Sequence, residues 1–318
     1  MSTLAPGVRR MALAVNPSAG KGRARALGVR TAELLAARGF DVLDVTSESA
    51  AEAADRATSA VEAGIDALVV VGGDGMVNIG VNACAGSDTP LGIVAAGTGN
   101  DIAASLGLPV HDIAASVDVI TTGEVRRIDA VRRVDWSGEG PRWFAGVMCG
   151  GFDAVVNERA NRWAWPRGKM RYNLAIAREL PVFKPLDYVI ELDGERWETQ
   201  AMMVSVGNGT RYGGGMLITP DASYDDGLLD VLVVGPMSVP RLLTVFPKVF
   251  SGSHTTHPKV TIRRARHVRL QTHGIVAYAD GERFGPLPIE LEVMPASLGV
   301  LVPAASGGAA RAGGPPAP

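Results

Sequence analysis

The chain has 318 residues, 47% apolar and 20% charged, with a formal net charge of −2. That balance excludes a disordered chain, allows two domains, and speaks against wholesale nucleic-acid wrapping. Two cysteines, Cys84 and Cys149, supply neither a disulfide framework nor zinc-site spacing, which predicts a reducing, cytoplasmic setting.

At the start, MSTLAPGVRRMALAV places only five apolar residues before Asn16, too few for a signal segment, and no apolar run is long enough to span a bilayer. The first part then alternates between two hydrophobic periods. Strands are predicted at Met11–Val15, Phe40–Val45, Ala67–Val71 and Leu91–Val94. Helices are predicted at Gly22–Arg38, Ser49–Ala63, Met76–Ala83, Asp101–Leu106 and His111–Thr121. Continuous apolar strands alternating with helices imply a parallel sheet covered on both faces. From about Arg126 the pattern turns to strands separated by Asp-Gly pairs, at Asp193-Gly194, Asp226-Gly227 and Asp280-Gly281, which are hairpin signals. Candidate strands there are Ile128–Val134, Arg142–Val147, Tyr188–Leu192, Ala201–Val206, Leu228–Val234, Lys259–Leu270 and Ile289–Val293, with Val155–Leu180 helical in part. The fold class is therefore α/β, an N-terminal parallel-sheet nucleotide-binding domain (9–125) followed by a mainly β, sandwich-like domain (126–296). The Ala/Gly/Pro tail, 303–318, cannot bury a core and is expected to be disordered.

Three strands of the first domain run into glycine-rich polar turns. They are Asn16-Pro17-Ser18-Ala19-Gly20-Lys21-Gly22, Gly72-Gly73-Asp74-Gly75 and Gly97-Thr98-Gly99-Asn100-Asp101. In a parallel sheet the carboxyl ends of the strands share one edge, where such sheets bind ligands. Bare backbone N–H groups followed by helix N-termini make an anion cradle there, with Lys21 and the Thr98 hydroxyl as further donors. Asp74 adds a carboxylate able to hold a metal on phosphates, and Asp is equally a good cap for the helix at Met76. The pattern points to a nucleoside triphosphate. The P-loop and dinucleotide fingerprints are both absent.

These turns resemble the diacylglycerol kinase catalytic family, nearest the soluble bacterial lipid kinases and related to sphingosine and ceramide kinases. The similarity runs over roughly residues 9–302 and rests on Asn16-Pro17-x-x-Gly20-Lys21, Gly72-Gly73-Asp74-Gly75 and Gly97-Thr98-x-Asn100-Asp101. The resemblance implies a nucleotide domain plus a β-sandwich, with a last strand near 297–302 returning to the first domain. It implies ATP and Mg²⁺ as cofactors and a lipid alcohol, diacylglycerol first, as acceptor; sphingosine or ceramide are alternatives, then NAD, then a sensor without catalysis. Glu282, in Asp280-Gly281-Glu282, is implied as proton acceptor, with Asp74 near the catalytic magnesium. Thr46 and Asn78 join the turns as implied ATP-site residues. Ser223, Asp226 and Leu228 are the implied ligands of a structural magnesium, in a turn whose acidic residues would repel one another without a cation. Two positions depart from the family pattern: Met76 replaces a threonine and Ala104 an arginine.

Between Arg159 and Lys184 seven basic residues accompany one acidic residue, with Trp163 and Trp165 among them, a composition suited to transient contact with an anionic membrane surface. The reading is thus a cytoplasmic, peripherally membrane-associated lipid kinase with no nucleic-acid partner; a homodimer stays open.

Overall fold

The computed structural model describes residues 9–16, 23–163, 165 and 169–304. Four strands, β1 (Arg9–Val15), β2 (Phe40–Asp44), β3 (Ala67–Gly72) and β4 (Leu91–Ala95), lie in the order β2-β1-β3-β4 and are all parallel. Their apolar runs are buried because helices cover both faces. On one face α1 (Arg23–Ala37) packs with α5 (Ile113–Thr122), and Leu35, Val117 and Ile120 close over Met11, Val69 and Val94. On the other face α2 (Ala50–Glu62) packs with α3 (Asp74–Cys84), and Ala57, Val77 and Val81 meet Leu68, Val70 and Ile93. Ser49 starts α2 by accepting the Glu52 N–H, and Asp112 starts α5 by accepting that of Ala115. A five-residue helix, α4 (Asp101–Ser105), opens directly from the third glycine turn.

The remainder begins with β5 (Glu124–Arg133), β6 (Trp143–Phe144), β7 (Val147–Cys149), α6 (Phe152–Arg162) and α7 (Lys169–Glu179). There follow β8 (Leu186–Leu192), β9 (Glu195–Ala201), β10 (Met203–Gly207), β11 (Arg211–Tyr212), β12 (Met216–Leu217), β13 (Leu229–Val234) and α8 (Val239–Val245). The chain closes with β14 (Val260–Ala265), β15 (His267–Gln271), β16 (Val276–Ala279), β17 (Glu282–Pro286) and β18 (Ile289–Val302). One layer of the sandwich is β14-β13-β10-β7-β16-β17. The other is the far half of the nucleotide sheet itself, which continues from β4 through β18, β15, β8 and β9. Tyr188, Ile190, Leu270 and Leu291 from one layer bury against Val204, Val206, Val231 and Ala277 from the other.

β18 joins the two halves. Its first part pairs antiparallel with β15, Leu291 opposite Val268, and its end pairs parallel with β4, Val300 opposite Leu91. Its pairing with β5 is interrupted between Met294 and Leu298, where Ala296 adopts φ 50°. Asp129 of β5 fills the interruption: one carboxylate oxygen accepts the Ala296 N–H at 2.8 Å, the other the Gly227 N–H at 2.7 Å.

Several expected elements are redrawn. Lys259–Leu270 is two strands in different layers, because the chain turns over at Arg266, whose N–H is taken by Asp193. Arg142–Val147 likewise splits into β6 and β7, in different layers. Asp193-Gly194 and Asp280-Gly281 turn true hairpins, with Asp193 and Asp280 at positive φ. Asp226-Gly227 does not: it leads into β13, and Asp129 holds it.

Candidate active site

β1, β3 and β4 end at Val15, Gly72 and Ala95, and their parallel registers bring these ends to one edge. Asn16 stands just past β1, and Thr46 just past β2 with its N–H given to Asp44 and its carbonyl to Arg56. Pro17, Ser18, Ala19, Gly20, Lys21 and Gly22 lie outside the described residues.

The second and third glycine turns meet backbone to backbone. A Cβ on Gly97 would lie 2.2 Å from the Gly73 Cα, so no side chain fits between them. Asn100, at φ 58°, brackets Gly97 by accepting its N–H at 2.9 Å and donating to its carbonyl at 2.8 Å. Asp74 caps a helix, though not the one it begins. Its two carboxylate oxygens accept the N–H groups of Asn100 and Asp101, at 3.0 and 2.9 Å, and so fix the start of α4. Thr98 stands exposed at the rim.

Met76 is buried in the core below the edge, and its side chain packs under Gly72. Asn78 is buried deeper on α3; its amide oxygen accepts from Asn82, and its own NH₂ has no partner among the described residues. Asn82 spans the two halves by accepting the N–H groups of Arg142 and Trp143.

The sandwich domain delivers two acids to this edge on the β16–β17 hairpin. Asp280, buried, accepts three consecutive N–H groups, from Ala145, Gly146 and Val147, at 2.9, 2.9 and 3.1 Å. Burial nevertheless pushes its carboxyl up to about 7, with the charge of Asp74 adding to the shift. Two residues on, Glu282 reaches the second glycine turn: a Cβ on Gly75 would stand 2.7 Å from the Glu282 Oε1. Glu282 is exposed to solvent, and its partial desolvation beside the glycine turn raises its carboxyl above the usual range. Asp74 is raised too, by burial and then by Asp101.

Asp101 ties the halves together a second time. Its carboxylate oxygens accept the N–H groups of Gly214 and Gly215, at 2.8 and 2.7 Å, in the turn between β11 and β12. The sequence signal was the run Gly213-Gly214-Gly215, which went unread, as did the capping roles of Asp129 and Asp280. Asp74, Asp101 and Asp280 thus gather negative charge at the edge. No three His, Cys, Asp or Glu side chains among the described residues stand close enough to share a metal ion. A magnesium ion here would take one carboxylate, that of Asp74, with water and phosphate oxygens completing its shell.

The Ser223–Leu228 turn balances its charge with arginines. Ser223 donates to Asp225, which pairs with Arg126 at 3.0 Å, and Asp226 accepts the Leu228 N–H and faces Arg264 at 3.6 Å. Two guanidinium groups, of Arg126 and Arg264, thus stand against the acids of this turn. Asp230 Oδ2, buried beside them, has no partner among the described residues.

Across the α6–α7 pair, Arg159 is spent on Glu179 and Arg162 on Glu158, while Trp165 and Met170 stand exposed. No helix among the described residues is long and apolar enough to cross a membrane.

Comparison with known proteins decides the family. Residues 10–133 match the family described as "Diacylglycerol kinase catalytic domain", and residues 146–302 match "YegS C-terminal NAD kinase beta sandwich-like domain". A protein of Mycobacterium tuberculosis (strain ATCC 25618 / H37Rv) named "Diacylglycerol kinase" is 41% identical over 289 residues, covering 91% of this chain and 93% of its own. The chain belongs to the diacylglycerol kinase family. A family relative in Staphylococcus saprophyticus, also named "Diacylglycerol kinase", is 28% identical over 284 residues, covering 88% of this chain and 91% of its own. A crystal structure of a diacylglycerol kinase from Bacillus anthracis str. Sterne superposes with a TM-score of 0.73 at 25% identity, covering 93% of this chain and 97% of that one. The glycine-turn edge belongs to the family's catalytic domain, and the hairpin bearing Asp280 and Glu282 to its sandwich domain.

Proposed function

We propose that this enzyme transfers the γ-phosphate of ATP to the hydroxyl of diacylglycerol, giving phosphatidate and ADP, with Mg²⁺ on the phosphates. The observation that carries the reading is the approach of Glu282 to Gly75, which brings a carboxylate from one domain against a glycine turn of the other. The acceptor oxygen forms a bond to the γ-phosphorus as the bond to the β-bridging oxygen breaks, and the hydroxyl proton passes to Glu282. Partial desolvation raises the proton affinity of Glu282, the direction that suits a general base. Backbone N–H groups of the glycine turns hold phosphate oxygens, as does Lys21, which also offsets their charge. Magnesium, when bound beside Asp74, supplies charge neutralisation at the phosphates. Asp280 holds the hairpin rigid by its three N–H bonds, so that Glu282 arrives in one place.

Ser223, Asp226 and Leu228 would supply the oxygen donors of a structural magnesium, which would compete with Arg264 for Asp226. Contact with a membrane surface, transient and without a span, is part of the same reading.

The test presents diacylglycerol, sphingosine, ceramide and NAD in turn with ATP and Mg²⁺, and follows phosphate into each acceptor. Transfer into diacylglycerol above the others is expected. Transfer only into NAD or a sphingoid base would move the reading to that acceptor, and ATP binding with no transfer would make the chain a sensor.

A further inference from the structure

The segment Val239–Phe250 is apolar on both sides. α8 runs straight into a 3₁₀ turn, Phe246–Phe250, and together they lie on the outer face of the six-stranded layer. Leu242 and Val249 face inward and pack on Leu232, Val234 and their neighbours, and Val245 is buried beside them in the chain. Leu243, Phe246 and Phe250 face outward and are 56%, 43% and 54% exposed, with the two phenylalanines edge to face at 6.4 Å. A surface helix that serves only its own domain carries polar residues on the outer side. Here Leu243, Phe246 and Phe250 stand there instead, and none of the described residues covers them.

The stretch of chain that carries it is basic. From Val231 to Ala279 the sequence holds seven lysines and arginines and no Asp or Glu. Arg263, Arg264 and Arg269 find carboxylates on other elements. Arg241 and Lys248, which flank the apolar face, pair with no carboxylate among the described residues; Arg241 rests on the His257 ring at 3.1 Å. A second copy of the chain is a poor occupant, because a twofold contact would set these cations against themselves. An anionic lipid surface satisfies both features: it accepts the aromatic and aliphatic side chains and attracts each cation.

The element is also placed to matter. The 3₁₀ turn packs on β12, and a Cβ on Gly252 would touch Leu217 and Pro220. β12 follows the Gly213–Gly215 turn that Asp101 holds at the catalytic edge. One short ribbon therefore separates this face from the site.

We propose that the outward face of Val239–Phe250 docks the enzyme on an anionic bilayer, Leu243, Phe246 and Phe250 entering the interface and Arg241 and Lys248 meeting headgroup phosphates. The proposal rests on the lipid-kinase reading for its purpose. The test measures sedimentation with phosphatidylcholine vesicles containing phosphatidylglycerol, and with pure phosphatidylcholine. It compares wild type, L243S/F246S/F250S and R241E/K248E, and also follows turnover of a dispersed short-chain diacylglycerol. Wild type is expected to bind the anionic vesicles. The apolar triple variant is expected to bind about tenfold or more weakly. The charge variant is expected to lose the preference for phosphatidylglycerol, and both variants keep wild-type turnover of dispersed substrate. Unchanged vesicle binding by the triple variant, or no binding by wild type, overturns the proposal. So does a dimer that the triple variant dissociates while vesicle binding stays the same. Absent turnover of dispersed substrate by wild type would count against the acceptor reading, and the vesicle result is scored independently of it.

Discussion

Two glycines of neighbouring turns make opposite predictions, because what a methyl group would strike differs. At Gly75 the obstacle is the flexible end of Glu282, 2.7 Å away. Gly75→Ala is therefore expected to fold with an unchanged melting temperature and to lose about tenfold or more in kcat, since the base is displaced by about 1 Å. At Gly97 the obstacle is the Gly73 backbone at 2.2 Å, which cannot swing aside. Gly97→Ala is expected to cost roughly 1–3 kcal/mol of stability by pushing the two turns apart. Thermal melts beside turnover separate the two cases, and a Gly75→Ala enzyme with full activity would remove Glu282 from the chemistry. Asp280 adds a pH dependence. Its carboxyl is raised by burial from 3.8 to about 7, so the native state holds a proton that the unfolded chain has released. That contribution is complete below the unfolded value and is lost as pH rises through about 7. Asp280→Asn does not titrate, so its deficit relative to wild type should shrink between about pH 5 and about pH 8 in urea melts. A deficit that grows over that interval would contradict the assignment. Of these residues, Asp74, Glu282 and the glycines were legible, because turn chemistry and a motif mark them. Asp280 was read only as half of a hairpin signal, since its three N–H donors come from residues 145–147, far away in sequence.

At the scale of elements, the strands of the first domain were the easiest to read, because burial on both faces leaves an unbroken apolar run such as Ala67–Val71. The sandwich was harder. β9 alternates Arg196, Glu198 and Gln200 outward with Trp197, Thr199 and Ala201 inward, a mostly polar sequence with no apolar run to mark it as a strand. β14 and β15 read as one strand because the break at Arg266 carries no glycine or proline, and a distant carboxylate, Asp193, makes the turn. The β11–β12 ribbon is short and glycine-rich, and Asp101 is what orders it. Asp101→Asn leaves one oxygen for two N–H donors, and is expected to cost about 1–3 kcal/mol. Faster hydrogen exchange at Gly214 and Gly215 should accompany that loss; unchanged exchange there would show that the ribbon is held by other contacts. The Ser223–Leu228 turn makes a separate prediction. If Mg²⁺ binds there in competition with Arg264, millimolar Mg²⁺ should raise the melting temperature of wild type and not of Asp226→Ala. Equal responses would leave the arginines as the turn's sole counter-charge.

Across the whole molecule, the halves are joined through a shared sheet as well as through the site. β18 is buried in both cores, and β5 follows it along its length, so each half completes the other's sheet. The return of the last strand came from the family resemblance, because an apolar run such as Leu298–Val302 carries no record of its partner. The consequence is functional: a glycine cradle in one half and a carboxylate from the other are held at one edge by Asp101, Asn82 and β18. The most direct test of this arrangement is phosphate transfer from ATP to dispersed diacylglycerol by wild type and Glu282→Gln, with ATP affinity measured on both. The account predicts that kcat falls about 10²–10⁴-fold while ATP binds as before. A Glu282→Gln enzyme that turns over at the wild-type rate would contradict it.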